Sequence, residues 1–286
     1  MRILTIAKEI QQQILEEKKN GKSIGYVPTM GFLHEGHASL LKKARKENDI
    51  VVLTIFVNPL QFGPNEDFDS YPRDIEHDEK VAQSALIDYL FYPSIEEMYP
   101  DEVSVKVTVQ HRTDVLCGRK RPGHFDGVAT VLTKFFNIIN PDKVYFGMKD
   151  AQQVAVVDGL ITDFNFDIEI MPVETVREED GLAKSSRNVY LLEEERACAH
   201  ELYKGLNLAR EAALHGEDNP EKLVSLISNH IMNYTNGKID YIEVYSYPEL
   251  KPLEKVSGNV IIALAVQFTT ARLIDNVTFL VHNDTN

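Results

Sequence analysis

A chain of 286 residues is long enough for a large core, and at roughly 150 residues per domain it predicts two domains. With 43% hydrophobic and 26% charged residues the composition is that of a folded globular protein, which excludes fibrous and disordered classes. A formal net charge of -14 argues against non-specific nucleic-acid binding, which needs a basic surface, yet leaves room for an anionic small molecule in a locally basic pocket.

The two cysteines, Cys117 and Cys198, lie far apart and form no C-x-x-C pair, so neither a disulfide framework nor a zinc knuckle is expected. The first residues, MRILTIAKEIQQQILEEKK, turn polar before a secretory apolar region can develop, and no apolar run approaches the ~20 residues of a membrane span. The expectation is a soluble protein of the reducing cytoplasm, without nucleic-acid or membrane partners.

In chain order, Ile6, Ile10 and Ile14 recur every fourth residue and Asn20-Gly21 follows, which predicts an amphipathic helix with a glycine stop. Ile24 to Val27 is a short apolar run, and His37 to Lys46 has helical spacing and helix-forming residues. Between them lies the turn of YVPTMGFLHEGH, Tyr26 to His37, so the stretch reads as strand, turn and helix. The first N–H groups of a helix lack intrahelical partners and sit at the positive end of its dipole, which suits a phosphate. His34 and His37, three apart, fall on one face of that first turn. A packing pair, a metal site and a pair of phosphate donors are all open to them. A metal site wants further ligands, and HEGH lacks the spacing of H-E-x-x-H. Gly31 and Gly36, which let backbone approach a bulky ligand, favour phosphate.

Ile50 to Val57, IVVLTIFV, is a continuous apolar run of the kind buried on both faces in a parallel sheet. Asn58 to Asn65 then changes to turn residues. Ligands in open α/β sheets bind beyond the carboxyl ends of strands, which makes Asn58 and Gln61 site candidates; the alternative is that they only hold the loop. The polar segment Asp69 to Asp78 leads into a helix through about Ala85. Asp74 and Asp78 could hold magnesium, but acidic residues are favourable at a helix start without any ligand, and a solvated helix start is the expectation. Ile87 to Tyr92 reads as a strand, and Val105, Val107 and Val109 alternate as a half-exposed strand does.

Gly118 to His124, GRKRPGH, is the densest basic stretch of this acidic chain. Solvated surface is its ordinary reading. Flanking glycines and the apolar helix that follows, with Val128, Val131, Leu132, Phe135 and Ile139 at helical spacing, point instead to a mobile lid over an anion. Lys143 to Gly147 is another strand, and at its carboxyl end Lys149, Asp150 and Gln153 inherit the argument made for Gln61. A helix through Asp163 and a strand from Phe166 to Thr175 follow. The polar loop Val176 to Arg187 sets Lys184 and Arg187 around Ser185 and Ser186, a good phosphate clamp because Arg binds phosphate bidentately and Lys acts as a point charge. A surface loop at a domain boundary accounts for it equally well.

After Tyr190, helices over Glu193 to His215 and Asn219 to Tyr234 lead through an Asn236-Gly237 turn into strands at Asp240 to Tyr245, Val260 to Phe268 and Leu273 to Val281. This is a smaller α+β domain, with the boundary between Thr175 and Leu182. There is no internal repeat, no G-x-G-x-x-G and no Walker lysine motif.

Five stretches, PTMGFLHEGH (Pro28 to His37), FVNPLQFG (Phe56 to Gly63), RPGHFDGV (Arg121 to Val128), FGMKDAQQ (Phe146 to Gln153) and DGLAKSSRN (Asp180 to Asn188), together closely resemble the pantothenate synthetase family, the pantoate-beta-alanine ligases. The likeness keeps the family's order and covers essentially the whole chain, whereas one histidine pair would indicate only the broader nucleotidyltransferase-like superfamily. It implies an α/β fold with a Rossmann-like parallel-sheet domain over 1–176 that binds ATP and pantoate, and a smaller α+β domain over 177–286. It also implies a homodimeric ligase that condenses (R)-pantoate with beta-alanine through a pantoyl adenylate, with magnesium accompanying ATP.

Carried onto this sequence, the resemblance implies ATP contacts from Met30, Gly31, Phe32, Leu33, His34, Glu35, Gly36 and His37. Further ATP contacts fall on Gly147, Met148, Lys149 and Asp150, and on Val176, Lys184, Ser185, Ser186 and Arg187. His37 corresponds to the proton donor and His34 to its partner on the phosphates, while Lys149 and Arg187 supply charge stabilisation. Gln61 matches the residue that meets both pantoate and beta-alanine, and Gln153 a second pantoate contact; magnesium ligands are not identified. Lys184 departs from the small or apolar residue often found before SSRN, and Phe32 is a milder departure. Gln61 and Gln153 donate and accept without charge, so they can hold a hydroxy acid whose carboxylate must stay nucleophilic. That separates this reading from a nucleotidyltransferase acting on a phosphate ester, and turnover separates both from a nucleotide-binding sensor.

Overall fold

The structure, a computed structural model, describes residues 1–64, 66 and 68–282. Asn65, the last residue of the expected turn, lies outside them. The chain divides into two compact units, one of Met1–His111, Arg121–Met148 and Val156–Glu174, the other of Arg112–Lys120, Lys149–Ala155 and Thr175–Asn286.

The first unit is built on six strands: β1 (Arg2–Leu4), β2 (Ile24–Thr29), β3 (Ile50–Ile55), β4 (Tyr89–Phe91), β5 (Lys143–Gly147) and β6 (Glu169–Val173). They pair in the order β1-β4-β3-β2-β5-β6, every pair parallel. Parallel neighbours need crossover connections. The helices between them are α1 (Ala7–Lys19), α2 (Glu35–Glu47), α3 (Ile75–Ser84), the single turn α4 (Ile95–Met98), α5 (His124–Ile139) and α6 (Ala151–Asp163).

Alternate residues of a strand face opposite sides of the sheet. Val27, Val51, Leu53 and Ile55 join Leu40, Leu41 and Ala44 of α2 and Ala82 of α3 in one core cluster. Tyr26 turns the other way, its ring 6.1 Å from Phe135 and 6.4 Å from Phe136 of α5. Helices therefore cover both faces, which is why β3 reads as an unbroken apolar run. The expected α/β architecture holds. β2 continues into β3 on one side, while its other neighbour, β5, is reached only after β4. The strand order thus reverses between β2 and β5, and ligands in such sheets bind beyond the carboxyl ends at that switch point.

One expected strand does not form. Around Val105 to Val109 the N–H of Val107 is taken by Thr130 Oγ1 at 3.0 Å and that of Val109 by Asp126 Oδ1 at 2.9 Å, so side chains of α5 replace a ladder partner. Conversely, β1 spans only three residues, too few for periodicity to reveal.

The second unit carries α7 (Glu193–Cys198), α8 (Glu201–Leu214) and α9 (Pro220–Tyr234), with an antiparallel sheet of β7 (Lys238–Ser246), β8 (Gly258–Gln267) and β9 (Arg272–Val281). Leu202 and Leu206 of α8 and Leu223, Ile227 and Ile231 of α9 pack with Val260, Ile262 and Leu264 of β8. Asn219 caps α9 by accepting from Glu221 N at 2.8 Å, with Pro220 at the first helical position. The single helix expected over Glu193 to His215 is broken at Ala199 and His200. There Leu202 N and Tyr203 N bond three residues back and tighten the chain.

Candidate active site

β2 delivers the chain at its carboxyl end into the histidine turn. Gly31 and Phe32 both take left-handed backbone, with φ of 86° and 51°. Glycine adopts it freely, but for Phe32 it is costly unless something holds it. Asp78, in the first turn of α3, accepts Phe32 N at 2.9 Å and Leu33 N at 2.6 Å and is only 1% exposed. Asp78 is therefore not part of a solvated helix start: burial with two backbone donors makes it the anchor of this turn. Asp74 behaves as expected of a helix start, capping α3 by accepting from His77 N at 3.0 Å. The glycines have reasons internal to the chain. A Cβ on Gly31 would sit 2.9 Å from Asp78 Oδ2, and one on Gly36 would sit 2.8 Å from the His34 ring.

His34 occupies the N-cap of α2 and His37 its third position. Gly36 N donates to His34 Nδ1 at 3.1 Å, and His34 N donates to His37 Nδ1 at 3.3 Å. The ring centroids are 4.2 Å apart. An imidazole whose Nδ1 accepts must, when neutral, carry its proton on Nε2. Both rings are thus held as Nε2–H donors, a point no sequence pattern reveals. The same bonds spend the Gly36 N–H, one of the helix-start donors expected to serve a phosphate.

Beyond β3, the short turn Pro59–Gln61 presents Gln61. Asn58 is 1% exposed and committed within the protein: Tyr99 Oη donates to its Oδ1 at 2.9 Å, while its Nδ2 donates to Gly127 O at 3.1 Å and to Gln61 Oε1 at 3.2 Å. Burial pushes the Tyr99 phenol well above its ordinary range, which keeps it a neutral donor. Of the two loop candidates, Asn58 holds the loop. With its Oε1 engaged, the Gln61 amide turns Nε2 toward Met30 Sδ at 3.2 Å. His124 Nδ1 lies 2.8 Å from Gln61 O and fixes the backbone of the same turn.

A cavity of about 470 Å³ is lined by Met30 and Gly31, the ends of β3 and β4, and Arg73, Asp74, Asp78, Ser94 and Glu97. Its lining takes in the residues just after β2 but none of β5, the other strand of the switch point where the topology expects a ligand. Asp78, the residue it shares with the histidine turn, has both carboxylate oxygens committed to backbone. Among the described residues no group of three or more His, Cys, Asp or Glu side chains is arranged to hold a metal ion.

In the first unit, then, Met30, His34, His37 and Gln61 are gathered around one turn, and Gly147 and Met148 close β5. The remaining candidates belong to the second unit. Lys149 and Asp150 form a short turn before α6, with Lys149 Nζ 4.0 Å from Asp150 Oδ2; Gln153 is partly exposed one turn on. Val176 to Arg187 is a narrow hairpin: Arg177 bridges Ala183, and Lys184 N donates to Val176 O at 2.9 Å. Ser185 Oγ accepts from Arg187 N at 3.3 Å and starts a short turn from Ser186. Lys184 Nζ lies 3.6 Å from Glu178 Oε2. Arg187 is exposed, and among the described residues no carboxylate pairs with its guanidinium.

The basic stretch expected to form a lid is committed elsewhere. Arg119 NH1 lies 2.8 Å from Glu243 Oε1, Lys120 pairs with Asp240, and Arg121 Nε donates to Glu66 Oε1 at 2.8 Å. Arg121 holds the Glu66 carboxyl below the usual carboxylate range. Each cation in this run meets its own carboxylate, which is why it offers little charge to an anion.

The family model described as pantoate-beta-alanine ligase matches residues 2–278. A pantothenate synthetase of Geobacillus sp. (strain WCH70) is 63% identical over 278 residues, 97% of this chain and 99% of the relative. The crystal structure of pantothenate synthetase from Thermus thermophilus superposes with a TM-score of 0.90 at 42% identity, covering 97% of this chain and 99% of the other. A pantoate-beta-alanine ligase from Francisella tularensis, complexed with beta-gamma ATP and beta-alanine, gives 0.77 at 35% identity over 97% of both chains.

Proposed function

The chain belongs to the pantoate-beta-alanine ligase family, and from that premise we propose that Met30 to His37, Gly147 to Asp150, Val176 and Lys184 to Arg187 hold ATP while Gln61 and Gln153 hold (R)-pantoate. The family's reaction makes a carbon–nitrogen bond and releases AMP. A pantoate carboxylate oxygen attacks the α-phosphorus of ATP, the bond to the β-phosphate oxygen breaks, and pyrophosphate leaves behind pantoyl adenylate. The amine of beta-alanine then attacks the activated carbonyl, the carbon–oxygen bond to AMP breaks, and the amine proton is lost as pantothenate forms.

Transfer at phosphorus needs positioning and charge stabilisation more than covalent help. The observation that carries the reading is the histidine pair. In each ring Nδ1 accepts a backbone N–H, which leaves Nε2–H as the donor of the neutral imidazole, and that donor is the group assigned to the phosphate oxygens. His37 serves as proton donor, His34 as its partner on the phosphates, and Lys149 and Arg187 as compensating charge. Gln61, its amide oriented by Asn58, meets pantoate and then beta-alanine. The ligands of the Francisella tularensis relative support ATP and beta-alanine as substrates here. Magnesium accompanies ATP as part of the nucleotide substrate. The working protein is a cytoplasmic homodimer, with an ATP- and pantoate-binding domain over 1–176 and a smaller domain over 177–286; no described helix is long and apolar enough to cross a membrane.

Exchange of labelled pyrophosphate into ATP, measured with pantoate present and beta-alanine absent, is expected to depend on pantoate. Exchange indifferent to pantoate would remove the assigned substrate, and no exchange under any combination would remove the adenylate.

A further inference from the structure

β9 contains two adjacent polar residues, Asp275 and Asn276, inside an apolar run, and both are buried, at 3% and 8% exposure. Successive strand residues face opposite sides of a sheet. Asp275 shares its side with Leu273 and Val277, members of the apolar core beneath α8 and α9. A carboxylate there needs a partner. It has a bidentate one: Arg177 NH1 and NH2 donate to Asp275 Oδ2 and Oδ1 at 2.6 and 2.9 Å. The Arg177 guanidinium also lies 3.4 Å from the centre of the Tyr203 ring, and its NH1 donates to Gly181 O at 3.1 Å. One side chain thus ties both arms of the hairpin from Val176 to Lys184 to β9. Asn276, facing the other way, donates from Nδ2 to Lys149 O at 3.0 Å.

Two consecutive residues of one strand therefore fasten the two segments of this unit that carry the cations Lys149 and Arg187. A buried ion pair is an inefficient way to stabilise a fold, since apolar side chains of the same volume often do as well or better. A bidentate pair does something apolar packing does not: it fixes the guanidinium plane and with it the direction of the attached backbone. We propose that Asp275, through Arg177, and Asn276 are positioning residues that set the two phosphate-facing segments, Lys149–Asp150 and Lys184 to Arg187, in register for ATP. This rests on the assignment of those segments to the nucleotide.

The test is ATP binding by calorimetry, with the ATP dependence of pantoate-driven pyrophosphate exchange, for Asn276→Ala, for the double variant Arg177→Met with Asp275→Leu, and for Arg187→Ala. The double variant removes both buried charges while keeping volume, so a purely structural role predicts wild-type ATP affinity and an unchanged melting temperature. Positioning predicts an unchanged melting temperature with the KM for ATP raised about tenfold, the scale of one hydrogen bond's net contribution. The KM for beta-alanine stays put. Asn276→Ala is expected to show the same split and carries the test if the double variant folds poorly. If Arg187→Ala weakens ATP binding while both clamp variants bind ATP as the wild type does, the clamp is only structural and the inference falls. If Arg187→Ala leaves ATP binding intact, the nucleotide assignment falls, and the inference with it.

Discussion

The two basic stretches of this chain, Gly118 to His124 and Lys184 to Arg187, invert the ranking that charge density gives them. The first is richer in cations, yet Arg119, Lys120 and Arg121 meet Glu243, Asp240 and Glu66. The second has fewer, and its Arg187 stands exposed with no carboxylate partner among the described residues. An anion responds to uncompensated charge rather than to the count of lysines and arginines. Asp78 belongs with the first group in this respect, a charge committed wholly to the protein's own backbone. Charges committed in the Gly118 to His124 stretch and at Asp78 should govern stability, the uncommitted Arg187 should govern nucleotide binding, and the Arg177–Asp275 pair is committed yet assigned to positioning.

His37 draws the sharpest line, because its two nitrogens divide between the roles. Nδ1 is committed to His34 N, and Nε2 is assigned to the nucleotide. His37→Ala is expected to cost ~100-fold or more in adenylate formation, the usual loss on removing a transition-state donor, with ATP binding much less affected. Single-turnover rates beside ATP titrations measure both; equal losses would make the ring a ground-state contact.

Asp78→Asn should fall on the stability side. It removes the charge accepting from Phe32 N and Leu33 N and turns an amide donor toward a donor, so a loss of about 2–3 kcal/mol is expected in urea unfolding. An unchanged unfolding midpoint would mean that the left-handed backbone at Gly31 and Phe32 is held by something else.

Glu66 gives the smallest effect and sharpens the committed class. The hydrogen bonds and charge of Arg121 lower its pKa in the folded protein. A depressed carboxylate contributes stability above its unfolded value, about 4.3 for Glu, and loses it as pH falls through the folded value. Glu66→Gln should therefore be slightly less stable than the wild type near neutral pH, and the gap should close in acid. A gap that persists at low pH would place the loss in packing rather than in the ion pair.

Much of the first unit was legible because its strands are buried on both faces, so apolar runs such as IVVLTIFV announce themselves. The second sheet was legible because its apolar runs are separated by turn residues. What could not be read depended on partners distant in sequence. Asp78 resembles any acid at a helix start until the turn it holds, forty-six residues earlier at Phe32, is placed beside it. Val105 to Val109 has the alternation of a strand, but Thr130 and Asp126 take its N–H groups. The histidine pair was visible as a pair; its tautomers follow only from backbone geometry. Asp275 and Asn276 did leave a signal, two polar residues together within an apolar strand.

The most direct measurement is a calorimetric titration of ATP into two proteins side by side, Arg187→Ala and the double variant Arg119→Ala with Lys120→Ala. Weakened binding in Arg187→Ala, with near wild-type binding in the double variant despite the loss of two cations, is the expected result. Weaker binding in the double variant than in Arg187→Ala would contradict it, and would return the phosphate site to the denser stretch.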